Sequence, residues 1–296
     1  MKLFFIITPM LSIIVPTYNS EKTIRRLLDP LFGAKTDVKY EVIIVDGCST
    51  DKTVEICKEY PVAIYNNPKI HAAAARNIGI AHANGDICAF IDSDCVPCDR
   101  WMKIIEQELA PDDVKAVGGK MIAYPPKNKI EKFSGHVFLD IIMRFPDERK
   151  IMGGNQVANS FITANCAYKK DFLLTLNGFD EFFTNNGEDI DLFWRAVNSN
   201  AGKLVYLPEL QVQHSFPDTV KKLFMKFRQY GIASSKLNSR FSHKLINIEI
   251  KFYLFFLIRL VTLPFNPVTN FLHLTYITGH IWGKWLGSFK YHVINL

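Results

Sequence analysis

The stretch Gly85-Asp86-Ile87-Cys88-Ala89-Phe90-Ile91-Asp92-Ser93-Asp94 decides how this chain folds. Its apolar run, Ile87 to Ile91, has the length and composition of a buried strand. The run ends in two carboxylates one residue apart, followed by Cys95-Val96-Pro97, where proline predicts an end to strand pairing. Two acids at the carboxyl edge of a buried strand cost solvation energy unless a cation meets them. Hard oxygen ligands there suit Mg²⁺ or Mn²⁺ shared with the phosphates of a substrate. The competing reading is a turn whose aspartates cap a helix from Arg100 to Leu109. An Asp-x-Asp by itself is common, so its neighbours decide between the two.

Upstream, Ser12 to Val15 is an all-apolar strand expected to break at Pro16, followed by Thr17-Tyr18-Asn19-Ser20. Asn19 or Ser20 can cap a helix over Glu21–Leu31, whose apolar residues recur at helical spacing. A strand over Tyr40–Val45 ends in Asp46-Gly47-Cys48-Ser49-Thr50-Asp51. A helix (Lys52–Glu59), a short strand (Val62–Tyr65) and another helix (Ala72–Ala83) then lead back to Ile87. Strand and helix alternate, with polar clusters at the strands' carboxyl ends. This pattern predicts an α/β, doubly wound, mostly parallel sheet with its ligand crevice at those ends. No Gly-x-Gly-x-x-Gly follows the first strand and no P-loop exists, which disfavours a dehydrogenase and removes a P-loop nucleotide hydrolase.

At 296 residues the chain has room for one large domain and an appendage. The six cysteines are scattered, and Cys95-x-x-Cys98 lacks a second pair or a histidine at zinc spacing, so reduced, intracellular thiols are expected. Met1 to Ile7 is short, interrupted by Thr8-Pro9 and lacks a cleavage site, so it reads as lead-in to the first strand. The net charge of +6 is modest and unevenly placed, and no nucleic-acid partner is expected. Lys221, Lys222, Lys226, Arg228, Lys236, Arg240 and Lys244 form a basic collar with no acid among them, favouring phosphate or anionic lipid over a merely solvated face.

Between Gly118 and Ala167 the pattern is less regular. A strand over Val117–Tyr124, an amphipathic helix over Lys129–Arg144, a turn at Gly153-Gly154-Asn155-Gln156 and a strand over Phe161–Tyr168 are predicted. Glu188, Asp189 and Asp191 then open a helix. Three acids exceed what the positive helix end requires, and Asp189 at the helix mouth is a candidate general base. Short strands over Lys203–Leu207 and Glu209–Gln213 precede His214, a candidate metal ligand if the fold brings it to Asp94.

Assembled, these segments resemble the inverting, GT-A-fold glycosyltransferases of family 2. The matching motifs, in order, are Val15-Pro16-Thr17-Tyr18-Asn19, Val45-Asp46-Gly47-Cys48-Ser49-Thr50-Asp51, Ala75-Arg76-Asn77-Ile78-Gly79, Asp92-Ser93-Asp94, Gly178-Phe179-Asp180-Glu181 and Gly187-Glu188-Asp189-Ile190-Asp191-Leu192. They cover roughly residues 12 to 214. The resemblance implies a Rossmann-like GT-A domain, a mixed and mostly parallel sheet flanked by helices. It implies a nucleotide subsite of Pro16, Thr17, Asn19, Asp46, Arg76 and Asp92, with Thr17 and Asp46 on the nucleobase and ribose. Asp94 would ligate Mn²⁺ or Mg²⁺ on the diphosphate, with His214 completing the metal shell. Asp189 would be the catalytic base, and Glu188 would shape its site. The family's Asp-Asp-Gly-Ser stands here as Asp46-Gly47-Cys48-Ser49, one acid short. The Gln-x-x-Arg-Trp box of processive synthases is absent, which predicts transfer of one sugar.

After Ile246 the composition turns apolar. Ile250–Phe265 has Lys251, Arg259 and Thr262 as polar exceptions that cluster on a helical wheel. Pro264-Phe265-Asn266-Pro267 breaks it, and Val268–Phe289 is a second apolar segment. The pair reads as a spanning hairpin by length, as interfacial helices by its charges, or as a buried subdomain or dimer face. The expected organisation is a GT-A catalytic domain (1–217), a basic amphipathic connecting helix (218–245) and membrane-associated C-terminal helices (246–296). By the positive-inside bias the catalytic domain faces the cytoplasm. The expected activity is metal-dependent, inverting transfer of one hexose from a UDP- or GDP-sugar to a polyprenyl- or dolichyl-phosphate-linked acceptor. Arg228 and Lys222 are candidates for the acceptor's phosphate, and membrane lipids are expected partners. Transfer to a soluble glycan and a non-catalytic sugar-nucleotide scaffold are the rivals. Intact Asp92, Asp94 and Asp189 argue against the scaffold, because a binder needs no base.

Overall fold

The structure is a computed structural model, and it describes residues 9–153, 160–184, 186–241, 246–247 and 250–295. The lead-in expected over residues 1–7, most of the turn at 153–156, and Lys244 fall outside the described residues. In chain order the first elements are β1 (Leu11–Thr17), α1 (Ile24–Gly33), β2 (Tyr40–Asp46), α2 (Thr53–Cys57), β3 (Ala63–Asn66), α3 (Ala72–His82), β4 (Ile87–Ile91) and β5 (Cys95–Pro97). There follow α4 (Trp101–Leu109), β6 (Val114–Ala123), α5 (Lys129–His136), a π-helical turn (Val137–Met143), β7 (Lys150–Ile151), β8 (Asn165–Lys169), α6 (Lys170–Thr175) and α7 (Glu188–Asn198). Last come β9 (Lys203–His214), α8 (Val220–Phe241), β10 (Ile246–Asn247), α9 (Ile250–Val261), α10 (Pro267–Tyr291) and β11 (Ile294–Asn295).

The chain divides into two compact units. The first comprises residues 1–124, 143–184 and 189–214, the second 125–142, 185–188 and 215–296. Residues 125–142, expected within the catalytic domain, group with the C-terminal unit, and the connecting helix and C-terminal helices form one body rather than two.

The first unit is built on a sheet of order β3-β2-β1-β4-β8-β6-β9-β5, with β7 paired to β9. β1 to β4 are mutually parallel, β8 runs antiparallel to both β4 and β6, and β9 runs parallel to β6. β4 is apolar throughout, β1 and β2 are mostly so, and all three are largely buried because helices cover the sheet. α1 turns Ile24, Leu27, Leu28 and Leu31 inward, as its periodicity predicts.

Two prolines behave differently from expectation. β1 continues through Pro16 to Thr17, pairing with Val45 and Asp46 of β2. β4 pairs with β1 only as far as Ile14 and Phe90, so Pro16 falls where β1 has lost its second neighbour and its missing N–H is harmless. Pro97 likewise does not prevent pairing. β5 is an edge strand, antiparallel to β9, and sheet edges tolerate proline. Other boundaries also shift. The helix expected over 129–144 is α-helical only to His136, β8 begins at Asn165 rather than Phe161, and the two short strands expected over 203–213 are one continuous β9.

In the second unit α8 and α10 run parallel in close contact. A Cβ on Gly279 would lie 2.5 Å from the carbonyl oxygen of Phe224, and one on Gly283 would lie 2.0 Å from that of Arg228. Glycine at this four-residue spacing removes the side chain that would hold the two backbones apart. Val137, Leu223, Phe227, Leu272, Tyr276 and Ile277 form the buried core here. Among the described residues no helix is long and apolar enough to cross a membrane. The spanning hairpin is thereby corrected. α9 has 12 residues, about 18 Å of helix against a hydrocarbon core of about 30 Å, and the longer α10 carries Lys284 and Lys290.

Candidate active site

The strand order grows in opposite directions on either side of the β1/β4 boundary, which opens a crevice at the carboxyl ends of those strands. Thr17 ends β1, Asp46 ends β2, and Asp92 follows β4. Asp46 is buried, 5 % exposed, and its carboxylate is fully engaged. Oδ1 accepts the hydroxyls of Thr17 (3.1 Å) and Ser49 (2.6 Å), and Oδ2 accepts the Ser49 amide (2.8 Å). Asn19, with φ of 48°, donates its N–H to Ser49 Oγ (2.8 Å) and accepts the Thr50 amide on Oδ1 (2.9 Å). It thus ties the loops after β1 and β2 together rather than capping α1. The Ser20 hydroxyl lies 2.8 Å from that of Ser93, linking this shell to the Asp92-Ser93-Asp94 loop. Pro16 lies within β1, one residue before Thr17.

On α3, the Arg76 guanidinium is buried, donates to Asp92 Oδ1 (3.0 Å) and stacks over Phe179, 5.6 Å from its ring centre. Asn77 clamps the Phe179 backbone from both sides, accepting its N–H (2.8 Å) and donating to its carbonyl (2.9 Å). The Gly178–Glu181 motif is therefore fastened to α3. Asp191 is fully buried and is held by Arg195, which also donates to the Gly178 carbonyl. The third acid of α7 is structural.

β5 places Cys95 opposite His214, and this register carries His214 Nε2 to 3.4 Å from Asp94 Oδ1. Among the described residues, Asp94, Cys95 and His214 form a group whose ligand atoms lie within 4.8 Å of one another. Two donors bound to one divalent ion at about 2.1 Å each sit about 3 Å apart, so Asp94 and His214 fit a metal by spacing. Cys95 is the soft member of this group, whereas hard Mg²⁺ or Mn²⁺ prefers oxygen and imidazole ligands. Burial and the charges of the neighbouring Asp94 and Asp92 hold its thiol well above the usual range.

Asp189 is the second residue of α7, half-buried, with Oδ1 accepting the Ile190 amide (2.9 Å). Cys166 lies on β8. Burial pushes that thiol up, the charge of Arg76 opposes the shift, and those of Asp189 and Asp92 add to it. Glu188, the first residue of α7, is buried.

Lys222 and Arg228 lie on α8 but not on one face. Six residues along an α-helix leave them about 120° apart. Lys222 also holds Asp218 (2.7 Å) one turn earlier. Residue types alone missed Ser49, Ser93 and Asn77. All three sit inside the quoted motifs, but only their tertiary partners give them a role.

Residues 12–176 match the Glycosyl transferase family 2 domain, more than half of the chain. The chain belongs to glycosyl transferase family 2. That match runs from β1 to α6, so Asp189 and His214 lie beyond it. Glycosyltransferase AglE of Haloferax volcanii is 35 % identical over 126 residues, 40 % of this chain and 41 % of AglE. A Methanococcus voltae dolichyl N-acetyl-alpha-D-glucosaminyl phosphate 3-beta-D-2,3-diacetamido-2,3-dideoxy-beta-D-glucuronosyltransferase is 37 % identical over 101 residues, 31 % of this chain and 32 % of that protein. The matched segments span less than half the length of these relatives. Among solved structures, residues 1–349 of S. aureus TarS with UDP superpose at a TM-score of 0.55 and 18 % identity, covering 95 % of this chain and 91 % of that one. Mannosyltransferase PcManGT from Pyrobaculum calidifontis, with GDP-Man and Mn²⁺, superposes at 0.54 and 18 % identity, covering 93 % and 88 %. The family 2 chain thus has the GT-A fold, as its mixed sheet and flanking helices require.

Proposed function

We propose that this family 2 member transfers one hexose, with inversion, from a UDP- or GDP-sugar to a polyprenyl- or dolichyl-phosphate-linked acceptor at a cytoplasm-facing membrane surface. The observation that carries the reading is the pairing of Asp94 with His214 beside the Arg76–Asp92 pair, at strand ends that also hold Thr17, Asp46 and Ser49. The TarS and PcManGT structures, with UDP and with GDP-Man and Mn²⁺, support a nucleotide-sugar donor. The dolichyl-linked acceptor in the name of the Methanococcus voltae relative supports the lipid-linked one.

In this reading the loop held by Asn19 and Asp46, together with Pro16 and Thr17, receives the nucleoside. Asp94 and His214 hold Mn²⁺ or Mg²⁺, which supplies charge stabilisation for the leaving diphosphate. Arg76 adds a buried positive charge, kept in place by Asp92 and Phe179. Asp189 takes the acceptor's proton while the acceptor oxygen bonds to the anomeric carbon from the face opposite the departing phosphate oxygen. That oxygen leaves with the electron pair of the broken bond, and one displacement gives inversion. Glu188 shapes the mouth of this site. For the acceptor's own phosphate, Arg228 is the stronger candidate, because Lys222 already holds Asp218.

The test is a panel of UDP- and GDP-sugars with Mn²⁺ and polyprenyl phosphate, run on wild type, Asp94→Ala and Asp189→Ala. Turnover with one donor, lost in Asp94→Ala, is the expected result. Equal turnover by both variants removes the site assignment, and activity confined to soluble glycans removes the lipid-linked acceptor.

A further inference from the structure

From Thr219 to Leu296 the chain carries eleven lysines and arginines against Glu249 alone, a net +10. In the second unit, which contains this segment, α9 and the outer row of α10 turn apolar side chains outward. On α9 the exposed residues are Ile250, Leu254, Leu257, Ile258, Leu260 and Val261, 48–73 % exposed, and all but Leu260 recur at the spacing of one helical face. Three polar side chains of α9 and α10 turn inward. Arg259 donates to Asn270 Oδ1 (3.2 Å) and lies over the Phe255 ring, while Asn270 and His273 are 2 % and 6 % exposed. A helix facing water does the reverse. The apolar exterior continues through Phe265 (85 % exposed) into the outer row of α10, with Phe271, Trp282 and Phe289 (87 %).

An exposed apolar surface this long marks a binding face. Helix length and apolarity exclude a span among the described residues. A second copy would set one strongly cationic segment against another. An anionic bilayer surface complements both the charge and the apolar rows, and tryptophan favours the headgroup level. We propose that α9, the Phe265 turn and the outer row of α10 lie in the interfacial layer of an anionic bilayer, parallel to its plane, with exposed cations such as Arg240 and Lys290 on lipid headgroups. The inference rests on the transferase reading only in that this surface would hold the lipid-linked acceptor. The binding itself needs no catalysis.

The experiment is co-sedimentation of the full chain with phosphatidylcholine vesicles containing about 30 % phosphatidylglycerol, followed by Trp282 and Trp285 fluorescence. The variants are Leu257→Ser/Val261→Ser/Phe265→Ser and Asp94→Asn, with donor turnover and solution mass measured on the same samples. Wild type and Asp94→Asn should bind with a blue shift, and pure phosphatidylcholine should bind at least tenfold more weakly. The triple variant should lose roughly a hundredfold in partitioning while keeping donor hydrolysis. No sedimentation of wild type, equal binding to neutral vesicles, or unchanged binding of the triple variant overturns the inference. So does a wild-type dimer that the triple variant converts to monomer, which would assign the face to a second copy. Vesicle binding without donor turnover would defeat the transferase reading and leave this one standing.

Discussion

Replacing Asp189 by asparagine separates its chemistry from its place in the fold. The amide keeps the size of the side chain and an oxygen able to accept the Ile190 N–H, which Asp189 Oδ1 takes at 2.9 Å. What disappears is one negative charge at a helix N-terminus, worth about 0.3–1 kcal/mol. The variant should therefore melt within a few degrees of wild type, since about 1 kcal/mol moves a chain of this size by about 2–4 °C. Activity should respond very differently. Loss of a positioned base costs about 10²–10⁴ in rate, or about 3–5 kcal/mol in the barrier. Initial rates at saturating donor should fall at least a hundredfold on an acceptor that attacks through a hydroxyl, with the donor KM within about twofold. An acceptor that attacks through phosphate is already anionic at neutral pH and should lose less than about tenfold, so the contrast identifies the attacking oxygen. A hydroxyl acceptor turned over within about tenfold of wild type, by a variant whose melt is unchanged, would refute the base assignment.

Asp94→Asn and His214→Gln should each raise the Mn²⁺ concentration needed for half-maximal turnover by about tenfold or more, and chelation should abolish wild-type turnover; metal titrations check both. Gly283→Ala would place a methyl 2.0 Å from the Arg228 carbonyl oxygen, backbone that cannot yield, and should destabilise by about 1–3 kcal/mol in thermal melts. Gly33→Ala meets nothing within 4 Å at the end of α1 and should be neutral or stabilise by about 0.4–1 kcal/mol in the same melts. His273 is lowered to about 4 by burial, with the positive charges of Arg259 and His136 adding to the shift. The unfolded chain then binds this proton first, so stability is full above about pH 6.5 and is lost as pH falls toward 4, by up to about 3 kcal/mol. Urea unfolding across that window should show a shallower loss for His273→Gln.

The β1–β4 sheet and its polar ends were legible in the sequence because they depend on local order. Buried parallel strands are continuous apolar runs, each followed by its own loop, so Thr17, Asp46 and Asp92 could be placed at strand ends from the chain alone. Amphipathic periodicity likewise marked α1, and the acids after Gly187 marked the start of α7. Pairing between distant segments was not legible. Pro97 argued against a strand, yet at a sheet edge it costs nothing, and the β5–β9 register it permits carries His214 across from the far end of the domain to Asp94. Asp191 looked like a third acid available to the site until Arg195 claimed it. In the C-terminal region composition determined that the helices are apolar and cationic. Only the tertiary structure decided which side faces out, because turning Arg259 toward Asn270 gives this half-buried guanidinium a hydrogen-bond acceptor and leaves leucine, isoleucine and valine to the solvent.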